Sequence, residues 1–342
     1  MQRRSNAHKT GECDCTRIAE AWSSVFVSAF SDFFLRSRFL RRPIRRGLQS
    51  PPRNSAAMRL RIMTMADIPA GMRLKEIAGW NQTAADWKRF LEAGPAGCFA
   101  AEEDRRVCGT ATTISFENRF AWVGMVLVDP EYRSRGIGTR LLERAIEHLD
   151  DLKIPAIKLD ATPQGKPLYE KLGFVSEYEI ERWTLRRSSS GAAKASGSGA
   201  RDSFSPGLLE SICKADQEIF GADRSLLLKS LDEDAPEFTA GIWNAGVIEG
   251  YSFGRRGSFA DHFGPWMARD ASTARQLLEA FLGHSSREFV VVDYLKSNAI
   301  AGRLLRSFEF SYSRSLTRMY RGSNEHPGRS ELLCAILGPE FG

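Results

Sequence analysis

Residues 122–142, Trp-Val-Gly-Met-Val-Leu-Val-Asp-Pro-Glu-Tyr-Arg-Ser-Arg-Gly-Ile-Gly-Thr-Arg-Leu-Leu, change period within a few positions. Up to Val128 the residues are apolar and largely β-branched, which suits a buried strand. Asp129-Pro130 ends that strand, because proline brings no N–H to a ladder. From Thr139 onward, Leu141, Leu142, Ala145, Ile146 and Leu149 recur at helical spacing. Between the two lies Arg133-x-x-Gly136-x-Gly138. Glycines let the backbone approach a ligand, and the first amides of a helix point at whatever lies before them. A strand, a basic glycine turn and a helix together make an anion site suited to pyrophosphate. The spacing is neither that of a Walker loop nor that of the dinucleotide fingerprint.

Arg-x-x-Gly-x-Gly after a strand ending in Val-Asp-Pro resembles the acetyl-CoA loop of the GNAT superfamily of N-acetyltransferases. The surrounding order of elements resembles it too. Residues 58–66 alternate with period two and read as a first strand. Asp67 caps a helix with Pro69 in its first turn, and a second helix starts at Thr83 and carries Trp87, Phe90 and Leu91. Strands follow at 98–102 and 107–116, joined by a charged hairpin tip. After the opening stretch come a strand at 156–161, a short helix ending at Gly173, and a strand at 178–185.

The chain has 342 residues, 42% apolar and 26% charged, enough for two domains with cores of their own. The net charge of +6 is unevenly placed. Residues 1–57 hold 11 Lys/Arg against 4 Asp/Glu, leaving 37 against 38 over the other 285 residues. The folded part is therefore neutral and carries no electrostatic footprint for nucleic acid. No apolar run reaches membrane-spanning length. Six cysteines form no C-x-x-C pair and the five histidines are scattered, so a reduced, cytoplasmic protein without a metal site is expected. Residues 1–57 combine an aromatic stripe (Trp22, Phe26, Phe30, Phe33, Phe34) with a basic run at 41–46. They read as an extension without a fold, as an organelle-targeting peptide, or as a membrane-surface helix.

Residues 188–205 are a Ser/Gly/Ala linker by composition. Beyond it the same grammar returns. Phe263-Gly-Pro-Trp-Met-Ala-Arg-Asp lies over Val123-Gly-Met-Val-Leu-Val-Asp, a helix over 273–281 follows, and Val290-Val-Val-Asp293 matches Ile157-Lys-Leu-Asp160. This second copy has no glycine pair in its loop, and Leu305 stands where the first has Tyr169. The expected fold is α/β (α+β): two tandem GNAT-like domains, each a central mixed, mostly antiparallel sheet flanked by helices. Their spans are 58–187 and 206–321, with 322–342 as a tail of no assigned role.

The resemblance implies a site. Val126, Leu127 and Val128 would bind the pantetheine arm of acetyl-CoA through their backbone. Arg133, Ser134, Arg135, Gly136, Ile137, Gly138 and Thr139 would hold the pyrophosphate. Tyr169 would be the general acid for the coenzyme thiolate, since phenol (pKa about 10) and thiol (about 8.5) exchange protons readily. Thr162 stands where the family often has Asn. Asp160 is a candidate base, with Glu102 or a water-relayed base as alternatives. Trp80, Asn81 and Gln82, in the connection between the first two helices, are the candidate acceptor contacts. Tyr251, Arg255, Arg256, Asp261, His262 and Trp266 of the second copy either reach that pocket or belong to core and loops. The implied activity is direct acetyl transfer to a primary amine of a small molecule, such as an amino acid or amino sugar. Two further readings stand beside it: acetylation of protein N-termini or lysines, and acyl-CoA sensing without turnover.

Overall fold

A computed structural model describes residues 58–187 and 207–342. The expectations for 1–57 and for the linker fall outside the described residues.

The first repeat runs β1 (Arg59–Ile62), α1 (Ile68–Ile77), α2 (Ala84–Ala93), β2 (Phe99–Glu103), β3 (Arg106–Phe116), β4 (Phe120–Val128), α3 (Ile137–Asp151), β5 (Ala156–Ala161), α4 (Lys166–Lys171) and β6 (Val175–Arg186). The second runs α5 (Leu208–Phe220), α6 (Ser225–Asp234), β7 (Ala240–Asn244), β8 (Val247–Arg256), β9 (Ala260–Ala268), α7 (Ala271–His284), β10 (Phe289–Leu295), α8 (Ala299–Ser307) and β11 (Ser311–Gly322). A short β12 (Leu333–Ala335) follows. Local chemistry accounts for several boundaries. Thr83 and Asp86 form a capping box at the start of α2, and Asp270 and Asn298 accept the Thr273 and Ala301 amides ahead of α7 and α8.

All twelve strands form one sheet in the order β1-β2-β3-β4-β5-β11-β6-β10-β12-β9-β8-β7. The two repeats exchange their last long strands. Strand β6 pairs with β10 of the second repeat, and β11 pairs with β5 of the first. The spans 58–187 and 206–321 are therefore not two closed domains in succession; each sheet is completed by the other's strand.

One face of the sheet is covered by α1, α2, α5 and α6, whose Leu74, Trp87, Phe90, Ile212, Phe220 and Leu228 share a single core. The opposite face carries α3 and α4 over the first repeat and α7 and α8 over the second, in two separate cores. Residues 322–342 are not a tail without a role. Leu333 to Gly338 and Glu340 to Gly342 are all buried, because the apolar run Leu332–Leu337 is taken up by the sheet and by the core beside α2. Among the described residues no helix is long and apolar enough to cross a membrane.

Candidate functional site

The glycine turn has the shape its sequence requires. Ser134 (φ +60°) and Gly136 (φ +74°) adopt left-handed backbone and curl the loop ahead of α3. No side chain caps this helix, so the amides of Ile137, Gly138 and Thr139 are left for a ligand. A Cβ at Gly136 would meet nothing within 4 Å, which leaves room for a bound group. Arg133 is exposed beside it, its Nε donating to the Val128 carbonyl at 3.2 Å. Arg135 is turned aside onto Glu103 (2.7 Å), so of the two arginines only Arg133 is free of a carboxylate.

The loop opens into a cleft. Strand β4 pairs with β5 only through Ala121 and Trp122, opposite Ile157 and Lys158. A bulge at Met125 (φ +49°), opposite the step from Thr110 to Thr112, then bends β4 away. Beyond Trp122 the edge of β4 toward β5, including Val126, Leu127 and Val128, has no ladder partner among the described residues. An extended ligand arm added there would satisfy those backbone groups as a further strand does.

In the second repeat the equivalent cleft is filled. Strands β9 and β10 pair over four residues and then part, and β12 enters the gap. Ala335 pairs with Trp266 on one side and Tyr294 on the other, and the Ile336 amide donates to the Asp293 carbonyl at 3.0 Å. The chain then crosses to the first repeat, where Trp122 Nε1 donates to the Pro339 carbonyl at 2.9 Å and Phe341 stacks on Phe90 with ring centres 4.6 Å apart. This explains a glycine shared by the repeats. A Cβ at Gly264 would come within 2.0 Å of the Ile336 carbonyl oxygen, and one at Gly124 within 2.6 Å of that of Glu340.

Tyr169 lies on α4, half-buried and edge-on to Phe174. Its hydroxyl has no hydrogen-bond partner among the described residues, and burial pushes the phenol up to about 12. Thr162 accepts the Gly165 amide at 3.2 Å through its hydroxyl oxygen, capping the turn into α4 and leaving its O–H able to donate. One sequence expectation nearby needs correction. Asp160 is wholly buried in a bidentate pair with Arg318 (3.0 and 2.9 Å). Burial raises its carboxyl above the ordinary range although Arg318 pulls the other way. A carboxylate held at both oxygens by a guanidinium is a structural partner, not a base.

The connection between α1 and α2 also differs from expectation. Asn81 is buried, donating to the Ala260 carbonyl at 3.0 Å and accepting from the Phe259 and Ala260 amides at 3.1 Å. Ser258 donates to the Gln82 carbonyl at 2.7 Å, and Trp80 packs on the core. Asn81 thus spends its side chain bracketing the second repeat, whereas Gln82 does so only through its backbone carbonyl, its buried Oε1 having no partner among the described residues. Of the second-repeat residues, Tyr251, Asp261 and Trp266 are core groups, and Arg256 pairs with Glu237 at the surface. Arg255 bridges the repeats, meeting Asp86 of α2 at 2.8 Å and Glu340. Burial opposes it, but Arg255 and Arg89 hold Asp86 below the usual carboxylate range.

Sequence reasoning missed the polar lane on the face under α1 and α2. Arg318 lies over Trp122 at 4.4 Å and bonds Tyr178, and Lys158 sits 3.7 Å from Glu177 with burial pushing it down to about 8. Arg182 forms a bidentate pair with Asp293 (2.8 and 2.7 Å). The signal available was the alternation of Lys158 with Asp160 on β5 and of Arg314, Leu316 and Arg318 on β11, which places each set on one face.

A family model for the acetyltransferase (GNAT) family matches residues 70–174, and a second, for an acetyltransferase (GNAT) domain, matches 212–335. The chain belongs to the GNAT family of N-acetyltransferases. It is a tandem member, with two such domains. The uncharacterised N-acetyltransferase YitH of Bacillus subtilis is 30% identical over 160 residues, 47% of this chain and 55% of that protein. The match therefore spans about half the length of that GNAT relative. Holothin acyltransferase of a Pseudoalteromonas strain is 24% identical over 77% of this chain and 87% of its own. A GCN5-related N-acetyltransferase from Sphaerobacter thermophilus shares the fold with a TM-score of 0.59 at 20% identity, over 79% of this chain and 96% of that one. So does a tandem GNAT protein from the clavulanic acid biosynthesis pathway, with a TM-score of 0.56 at 13% identity over 78% and 98%.

Proposed function

We propose that the first repeat transfers an acetyl group from acetyl-CoA to the primary amine of a small molecule, and that the second repeat binds no donor. The observation that carries this is the open β4–β5 cleft leading to the uncapped start of α3, beside a second cleft closed by β12. Bound acetyl-CoA supplies an activated thioester. The amides of Ile137, Gly138 and Thr139, with Arg133, hold its pyrophosphate. The free edge of Val126–Val128 aligns the arm, and an amide there lies ready for the charge that develops on the carbonyl oxygen. Tyr169 stays protonated at neutral pH and donates to the leaving sulfur. Its raised pKa widens the gap to a free thiol, but the burial that raises the phenol also raises a thiol held beside it.

A small acceptor is supported by the neutral charge of residues 58–342 and by the second repeat and residues 336–342, which crowd the face opposite α3. The test is release of free thiol from acetyl-CoA across a panel of small amines and peptides, with Gly136→Asp as the control. The added carboxylate would occupy the open space at Gly136 and repel pyrophosphate, so donor binding is expected to fall at least about 100-fold while the fold is kept. Unchanged donor binding in Gly136→Asp would refute the loop assignment. Tight donor binding without thiol release for any amine would favour a sensor.

A further inference from the structure

The face that carries Trp122 and Arg318 holds four buried or half-buried guanidinium groups in a lane. Three are matched: Arg318 with Asp160, Arg182 with Asp293, Arg255 with Asp86 and Glu340. The fourth, Arg314, forms no hydrogen bond, ion pair or ring contact among the described residues, and its buried Nε has no acceptor. Asp293 and Glu340 act on it only through space, against Arg182, and burial pushes it down to about 10. An unmatched guanidinium in such a place is costly to the fold.

Its position says what it faces. Strand β5 ends at Ala161, which pairs with Thr317 of β11. Residues 311–316 of β11 therefore run on without a β5 neighbour, bordering the mouth where β4 has parted from β5. No register shift separates Arg314 from Leu316 and Arg318, so all three share the face under α1 and α2. That is the face across which residues 336–342 approach Gly124. Glu340 Oε2 is buried there without a partner as well.

We infer that Arg314 binds a carboxylate on the acceptor, so that the small amine acetylated in the first repeat is an amino acid or a related amino carboxylate. This rests on the reading of the first repeat as the transferring site. A guanidinium offers two parallel donors to a carboxylate, and one unmatched positive charge answers one negative charge. A dianionic phosphate would meet repulsion from Asp293 and Glu340 without a second cation to offset it. An amino sugar brings no anion at all. Glu340 Oε2 is the complementary acceptor for an N–H of the same ligand.

The test uses the full chain with acetyl-CoA and paired amines: glycine and glycinamide, β-alanine and β-alaninamide, O-phosphoethanolamine and ethanolamine, and glucosamine. The expected result is a preference for acid over amide of about tenfold or more in kcat/KM. In Arg314→Gln, KM for the acids should rise about 10–100-fold with kcat and the amides unaffected, and Arg314→Lys should recover part of the loss. No ion pair is lost in Arg314→Gln, so its melting temperature should equal or exceed that of the wild type, whereas Arg182→Gln should melt lower. Equal use of acid and amide, a preference that survives Arg314→Gln, or stronger use of the phosphate than of β-alanine would each overturn the inference. Calorimetric binding of N-acetyl-β-alanine and its amide is read separately. Absence of turnover with every amine counts against acetyl transfer, while equal or absent binding of these two probes counts against the carboxylate.

Discussion

At the scale of single residues, the proposed site is built on groups whose surroundings leave them unspent. Tyr169 has a hydroxyl without a partner, Gly136 faces open space, and Arg314 has no counter-ion, while Arg318, Arg182 and Arg255 beside Arg314 are paired. Tyr169→Phe is expected to lower the maximal rate about 10–100-fold with donor binding kept. Because burial places the phenol near 12, the wild type should show no alkaline loss from this group below pH 10, and the variant's deficit should be even across pH 6–10. A rate equal to that of the wild type over that range would remove Tyr169 as the acid. The left-handed glycine turn and the helix that carries Tyr169 were legible in the sequence because a short motif places them by local spacing. Asp160 and Asn81 were not. A lone Asp on a strand reads the same whether it faces a substrate or Arg318, 158 residues away. A polar pair in a helix connection reads the same whether it lines a pocket or brackets residues 258–260.

At the scale of elements, the change from period two to period 3.6 at residues 128–139 made β4 and α3 readable, and the repeat made α7, β10 and α8 readable. Strand β12 escaped because three residues carry no period. The apolar run at 332–337 was visible, but which gap it fills depends on β10 and β9, whose partner residues Tyr294 and Trp266 lie far back along the chain. Its place yields a prediction about stoichiometry. With β12 hydrogen-bonded on both sides and no glycine turn ahead of α7, titration calorimetry should give one acetyl-CoA per chain. Removal of residues 333–342 should lower stability without creating a second site, because vacating the cleft does not supply the turn. Two equivalent sites in either form would contradict the division of labour between the repeats.

At the scale of the whole molecule, β6 and β11 tie the two halves into one sheet. Alternation along β6 could not reveal this, since Tyr178, Ile180 and Arg182 present the same face whether the neighbouring strand belongs to the same repeat or the other. Unfolding should therefore be a single cooperative transition, followed by heat or denaturant with two probes. A protease site placed between residues 188 and 206 should, after cleavage, give two fragments that co-elute under native conditions. Fragments that separate freely, or two resolved transitions, would show that the exchanged strands are not holding the halves together. The exchange has a further consequence. The molecule is a dimer written in one reading frame. Partners encoded by one shared gene must change together, whereas these two halves can mutate apart without losing each other. One half could let its donor cleft close and keep only the duty of finishing its neighbour's sheet. The other could then take up a narrower range of acceptors than a symmetric pair would admit.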